Sequence, residues 1–357
     1  MTPREILRKA LRDIGVTRIN SISKYDDLPI YVYQTCRPDS LHLTVDSGKG
    51  KTDDAAFIAC AVEAIERYTA ENIENEKISV SLDNENLFIP NGTKTYGKVS
   101  STRYLECYEG TEMISNRKVL VPTNYVDYKK PQGLLSSQSF AGTTGLGAHT
   151  TMEMAICSGL VELIERDAIA QGKYERVIPE MIDESLSWIK STLGERCTRY
   201  AILRYETEWP LEVVQIVCND PYVAGGMNAM GVGACLQLAI EDAALEAMQT
   251  WLMRLAASRD DWAYSRVMDR EIFDQFISSK TKITKKGNKE TNSRKYSDKL
   301  YFKLIEYAEL AAKEVVVVPL KTNVEIKEIY VVKVLLNRMK LLRQGPMLTG
   351  IPYMPSV

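Results

Sequence analysis

SGKGKTDDAAFIACAVEAIERY, residues 47–68, decides how this chain is read. Glycines, lysines and a threonine stand ahead of an apolar helix, much as they do in a nucleotide-binding P-loop. The spacing excludes that loop. GxxxxGK[ST] needs a glycine five residues before Gly50, and Val45 stands there. Without that glycine the amides cannot wrap a phosphate in the P-loop manner. What remains to explain is a pair of glutamates, Glu63 and Glu66, in a helix whose other residues are largely apolar.

The stretch has two counterparts in the same chain. Gly48-Lys49-Gly50 is followed by Glu63-x-x-Glu66-Arg67, Gly145-Leu146-Gly147 by Glu162-x-x-Glu165-Arg166, and Gly231-Val232-Gly233 by Glu246-x-x-Gln249. The first glycine precedes the first glutamate by 15, 17 and 15 residues. The segments between are rich in alanine and other small or apolar residues. Matched offsets of this kind mark one supersecondary unit used three times. The expected unit is a strand, a GxG turn and a buried helix carrying a polar dyad.

Residues i and i+3 of a helix share a face. Glu63 therefore projects with Glu66, and Glu162 with Glu165. One reading is a solvated face with i,i+4 pairs Glu63–Arg67 and Glu162–Arg166. The other follows from AAFIACAVEAI (55–65) and AICSGLVELI (155–164), which are apolar all round apart from one glutamate each. Such helices are usually buried. A buried carboxylate costs several kcal/mol unless compensated, and two adjacent ones repel. Oxygen ligands without histidine or thiolate suit a hard cation, Mg2+ or Ca2+. Two dyads would suit a pair of Mg2+ ions clamping a nucleoside triphosphate.

Composition narrows the class. The chain has 357 residues, 45% hydrophobic and 26% charged, with a formal net charge of −2. That is a globular profile with no global field to recruit nucleic acid or a membrane. No apolar run reaches the length of a membrane span, and the polar start MTPREILRKALRDIG is not a signal peptide. Seven scattered cysteines without a CxxC read as reduced, cytoplasmic usage. With two histidines, His42 and His149, neither a zinc site nor a histidine-based triad is expected.

Along the chain, helices are expected over about 1–14, 53–71, 152–171 and 237–257. Thr52, Asp53 and Asp54 suit the start of the second. Strands are expected at 29–36, 41–45, within 100–127, at 200–206 and 211–219, and in EVVVVPL and EIYVVKVLL near the end. The run 279–299 is basic, polar and poor in apolar residues. It reads as a mobile loop, or as a docking surface for an acidic leader peptide or partner. The tail, 345–357, carries prolines 352 and 355.

These residues resemble the YcaO family. Its pattern is S-x-G-K-G-x-T…E-A-x-E-R-Y, then [ST]-[NT]-G-L-A-x-G…E-x-x-E-R-D-A, then G-x-G…E-A-x-Q and G-x-R-D-D. Here these appear as SGKGKT…AVEAIERY (47–68), TTGLGAHT…GLVELIERDA (143–168), MGVGAC…LEAMQ (230–249) and ASRDD (257–261). The resemblance covers about 15–340 and implies one YcaO-type α+β (mixed α/β) domain over 1–357, three strand–GxG–helix units around an ATP cleft. It implies ATP and Mg2+ as cofactors. It implies O-phosphorylation of a backbone amide in a ribosomally made peptide or protein. Closure by a Cys, Ser or Thr side chain gives an azoline, external sulfide a thioamide, and amines amidines. By position, Glu63, Glu66, Glu162 and Glu165 would ligate Mg2+, and Arg166 and Arg259 would contact phosphates as catalytic groups. Ser47, Lys49, Arg67, Glu246 and Gln249 would complete the nucleotide site.

The chain departs from the pattern in places. His149, Thr150 and Thr151 stand where the family has Gly-Asn-Thr, and Trp251 where an arginine often follows the glutamine. Val-Lys-Val near the end runs into Leu-Leu-Asn-Arg rather than Pro-Gly. Azoline-forming members often end in PxPxP, which the tail approaches, and Thr143-Thr144-Gly145 also resembles those members. Cyclodehydration is therefore placed ahead of thioamidation. A non-catalytic accessory factor for another modifying enzyme, such as a ribosomal-protein methylthiotransferase, is the third reading. A separate leader-peptide-binding or sulfide-delivery protein and a homodimer are expected as partners.

Overall fold

The structure is a computed structural model. It describes residues 2–90, 104–128, 142–178, 181–197, 199–219, 226–257, 297–324, 326, 329–337 and 339. Arg259, residues 279–296 of the basic run and the tail 345–357 lie outside the described residues; the run's last three residues cap and open a helix. The chain is a mixed α/β protein and divides into two compact units, Met1–Ala64 with Gln171–Lys295 and Ile65–Ala170 with Tyr296–Val357.

The first unit opens with α1 (Pro3–Asp13), started by a capping box between Thr2 and Glu5. Next come β1 (Arg18–Ser21), β2 (Tyr31–Cys36) and β3 (Val45–Gly50), an antiparallel sheet in the order β1-β2-β3. Helix α2 (Asp53–Glu71) follows, and its last turns are counted with the second unit. Thr52 caps it, its Oγ1 accepting from the Ala55 amide at 3.2 Å. After Gln171 the unit adds β8 (Tyr174–Arg176), α4 (Ser187–Arg196), β9 (Arg199–Tyr205), β10 (Glu212–Asn219), β11 (Gly226–Gly233) and α5 (Leu236–Leu255). The strands form an antiparallel sheet ordered β11-β10-β9-β8. Ile202, Val214, Ile216 and Cys218 of that sheet pack with Ile189 and Leu193 of α4 and with Ala239, Ile240, Ala243 and Ala244 of α5. The far end of α5, through Met248, Leu252 and Met253, covers Ile22, Leu28, Ile30 and Val32.

The second unit is built on one antiparallel sheet. It contains β4 (Ile78–Ser81), β5 (Tyr104–Glu112), β6 (Arg117–Pro122), β7 (Leu146–His149), β12 (Val315–Leu320) and β13 (Tyr330–Leu336). The order is β4-β5-β12-β13-β7, with β6 also on β5. Helices α3 (Met152–Gln171) and α6 (Asp298–Leu310) complete it. No helix among the described residues is long and apolar enough to cross a membrane.

The three strand–helix units are present as β3–α2, β7–α3 and β11–α5. Three expectations need correction. The segment 41–45 is not a strand; the strand begins at Val45 and runs through the glycines to Gly50. Nor are the Gly-x-Gly motifs turns throughout. Gly145 alone sits in a turn, just before β7, while Gly48, Gly50, Gly147, Gly231 and Gly233 lie within strands and serve close packing. A Cβ on Gly48 would stand 2.0 Å from the Cys60 amide nitrogen, on Gly147 2.1 Å from the Ala155 carbonyl oxygen, and on Gly231 2.2 Å from the Ala243 amide nitrogen. The helix backbone thus rests directly on the strand backbone, which only glycine permits. Finally, α2 is not buried all round. Ile58 is 40% exposed and Ala59 is exposed with it, because apolar alanines on an outer face cost little in water.

Candidate functional site

In the first unit the alternation of β3 places its side chains. Gly48 and Gly50 lie against α2, so Ser47 and Lys49 point the other way. There they meet α5, whose Glu246 and Gln249 are one turn apart. Gln249 Nε2 donates to Ser47 Oγ at 2.8 Å. Lys49 Nζ donates to Glu246 Oε2 at 3.3 Å, and the Met230 amide donates to Glu246 Oε1 at 3.4 Å. Four residues assigned to nucleotide binding by the sequence are brought together here. Glu63 and Asp46 both lie near Cys60. The Cys60 thiol is pushed well above its usual pKa by burial and then by the charges of Glu63 and Asp46.

In the second unit a second polar group forms around the start of β7. Glu162 Oε2 accepts from the Gly145 amide at 2.9 Å, and its Oε1 accepts from Arg166 Nη2 at 2.7 Å. Arg166 Nη1 donates to Thr144 Oγ1 at 2.9 Å, while its Nε is buried without a hydrogen-bond partner. Gly145 holds φ at +83°, a backbone conformation suited to glycine, and its carbonyl accepts from Val334 at 2.7 Å. On the neighbouring strand, Lys333 Nζ donates to the Gly142 carbonyl at 2.7 Å. Burial lowers the Lys333 pKa to about 8; Glu162 and Glu66 act against that lowering and Arg166 adds to it. Glu66, Glu162, Arg166 and Lys333 therefore share one electrostatic neighbourhood.

Glu63, Glu66, Arg67, Glu162, Glu165 and Arg166 are all half-buried. The full burial expected for the glutamates is not observed; the helices are covered on their alanine and leucine faces and leave the dyad face partly open. Among the described residues no three of His, Cys, Asp and Glu lie close enough to hold a metal ion by themselves. The donor chemistry still fits Mg2+, which takes one or two carboxylates and fills its shell with water and phosphate oxygens. Glu162 retains lone pairs after accepting from Gly145 and Arg166, because an ionised carboxylate offers about four acceptor sites.

Two participants escaped the sequence reading. Thr144 orients Arg166, and Lys333 faces the acidic group. The signal for the second was present: one lysine in the apolar strand YVVKVLL, where periodicity gives no reason for a charge.

Residues 47–340 match the family described as YcaO cyclodehydratase, ATP- and Mg2+-binding. The chain belongs to the YcaO family. An uncharacterized protein of Methanothermobacter thermautotrophicus is 25% identical over 347 residues, 89% of each chain. Among solved structures, YcaO from Methanopyrus kandleri bound with AMPPCP and Mg2+ is similar in fold. Its TM-score is 0.74 at 22% identity, covering 99% of this chain and 96% of that one. A heterocyclase in complex with substrate and cofactor gives 0.72 at 19% identity, over 95% of this chain and 52% of its own. The E. coli microcin synthetase McbBCD complex with pro-MccB17 bound gives 0.65 at 15%, over 89% of this chain and 87% of that one.

Proposed function

We propose that this YcaO protein is an ATP- and Mg2+-dependent enzyme that activates a backbone amide of a ribosomally made peptide and closes it into an azoline. The observation carrying this reading is the group around Gly145. A carboxylate, an arginine fixed through both terminal nitrogens and a backbone amide converge there, in a chain of a family described as ATP- and Mg2+-binding.

Mg2+ bound with ATP supplies charge neutralisation at the phosphates. Phosphoryl transfer asks the protein chiefly for positioning and electrostatic stabilisation. Glu63, Glu66, Glu162 and Glu165 would hold the ions. Arg166, held by Thr144 and Glu162, is pre-oriented toward phosphate oxygens, and Arg259 would join it. Ser47, Lys49, Glu246 and Gln249 would line the nucleotide site, with Arg67 balancing the first dyad. The amide oxygen takes the γ-phosphoryl group and ADP leaves. A Cys, Ser or Thr side chain then adds to the amide carbon and loses its proton. The C–O bond to the phosphate breaks, phosphate carries the oxygen away, and the nitrogen loses its proton to form the ring. The peptide has lost one water.

A second protein that recognises the peptide belongs to the same proposal, supported by the microcin synthetase being a complex with pro-MccB17 bound. The test incubates the protein with ATP, Mg2+, precursor peptide and candidate partners, and follows phosphate and peptide mass. Loss of one water per phosphate is expected. Exchange of oxygen for sulfur would replace the azoline by a thioamide product. No phosphate release with any pairing would leave an accessory role and overturn the enzyme.

A further inference from the structure

The core of the second unit contains a charge that its fold does not require. Lys333 is 1% exposed in mid-strand, between the buried Val332 and Val334. It pairs across β7 with Leu146, the central residue of the second Gly-x-Gly. In the first unit the residues opposite the central positions are Val32, paired with Lys49, and Val213, paired with Val232. An aliphatic side chain thus serves twice at the position where the second unit places an ammonium. Burying that group is costly unless it is compensated. The Gly142 carbonyl compensates part, at 2.7 Å. The charged groups acting on it are Glu162 and Glu66, which favour the ammonium, and Arg166, which opposes it.

We propose that Lys333 is the resident counter-charge of the Glu66–Glu162 site and the positioning residue for the Gly142–Gly145 segment. Its ammonium balances the carboxylates while the divalent cation is away and repels the cation when it arrives alone. The cation then binds firmly only together with the nucleotide's negative charge. Metal loading is thereby tied to the presence of ATP. The proposal rests on the reading that these glutamates hold Mg2+.

Two variants separate charge from clamp. K333Q removes the charge and keeps a donor for the Gly142 carbonyl; K333M removes both. Mn2+ is the probe, with free ion read by electron paramagnetic resonance, without nucleotide and with a non-hydrolysable ATP analogue. Both variants are expected to bind Mn2+ alone about ten-fold more tightly than wild type, as loss of a nearby like charge predicts. Both should bind the Mn2+–nucleotide complex more weakly. The unliganded urea midpoint should hold or rise in K333Q. A merely structural lysine would move both affinities in the same direction or neither, and either outcome overturns the proposal. Glu66→Gln in the Lys333 background tells the two readings apart. If it loses Mn2+ binding while K333Q behaves as wild type, only the counter-charge idea falls. If it binds Mn2+ normally, the metal assignment falls and takes this proposal with it.

Discussion

Replacing Gly147 by alanine tests whether the strand glycines set the height of the site. The new Cβ would lie 2.1 Å from the Ala155 carbonyl oxygen and 2.7 Å from the Gly159 amide nitrogen. Ordinary contact begins near 3.4 Å. Both obstacles are backbone, so no side chain can swing aside. Strand β7 and helix α3 must part by about 1.3 Å, since repulsion rises steeply inside contact distance. Overpacking of this kind costs about 1–3 kcal/mol. A parting of that size would also stretch the 2.9 Å Gly145–Glu162 hydrogen bond out of range. A hydrogen bond to a charged group is worth about 1.5–3 kcal/mol. The expected loss is about 2.5–6 kcal/mol, read as a lower urea midpoint. Gly194→Ala is the control: it lies in α4 on an exposed face with nothing within 4 Å of the added carbon. That substitution should stabilise by about 0.5–1 kcal/mol through helix propensity. A Gly147→Ala midpoint equal to wild type would refute the packing role of the motif.

Two further expectations concern charge. Glu66→Gln should leave the urea midpoint within about 0.5 kcal/mol of wild type, as a half-buried surface change does, while calorimetric binding of Mg·ATP weakens by about ten-fold or more. Normal titration would remove Glu66 from the ligand set. Asp26 accepts from Arg196 Nε at 2.9 Å and from Trp251 Nε1 at 2.9 Å, and the Arg196 hydrogen bond holds its carboxyl below the usual carboxylate value. A depressed acid stabilises the fold fully above its unfolded pKa, and that contribution is lost as pH falls through the folded value. Urea midpoints taken downward from about pH 5 should therefore fall more steeply for wild type than for Asp26→Asn; parallel curves would disprove the linkage.

Much of the frame was legible. The start signal of α2 and the apolar, small-residue stretches of α2 and α3 reproduce Asp53–Glu71 and Met152–Gln171. The threefold unit was visible because its glycines and glutamates keep fixed offsets. The purpose of the glycines was not visible: VDSGKG has no apolar alternation, while LHLTV beside it does, so the pattern pointed one segment too early. Lone glycines in a strand and glycines in a turn look alike until the partner backbone is in place. Helices α4 and α6 were missed, the first because SWIKSTLGER has little amphipathic rhythm, the second because it starts beside the basic run. Residues adjacent on one helix were readable as pairs. Thr144 was not, because its contact with Arg166 spans 22 positions between a turn and a helix; Lys333 was not, because it is brought in by the return of β13 alongside β7 nearly 190 positions later, as the Lys333–Leu146 pairing shows.

Bare backbone against bare backbone also has a corollary. Where a helix is seated by large side chains, every change of volume beneath it tilts the groups it carries. Here the seats at Gly48, Gly147 and Gly231 have no volume to vary. The distance from strand to polar dyad is then fixed by backbone alone, and a change in side-chain size elsewhere on the helix has no lever at these seats with which to shift it.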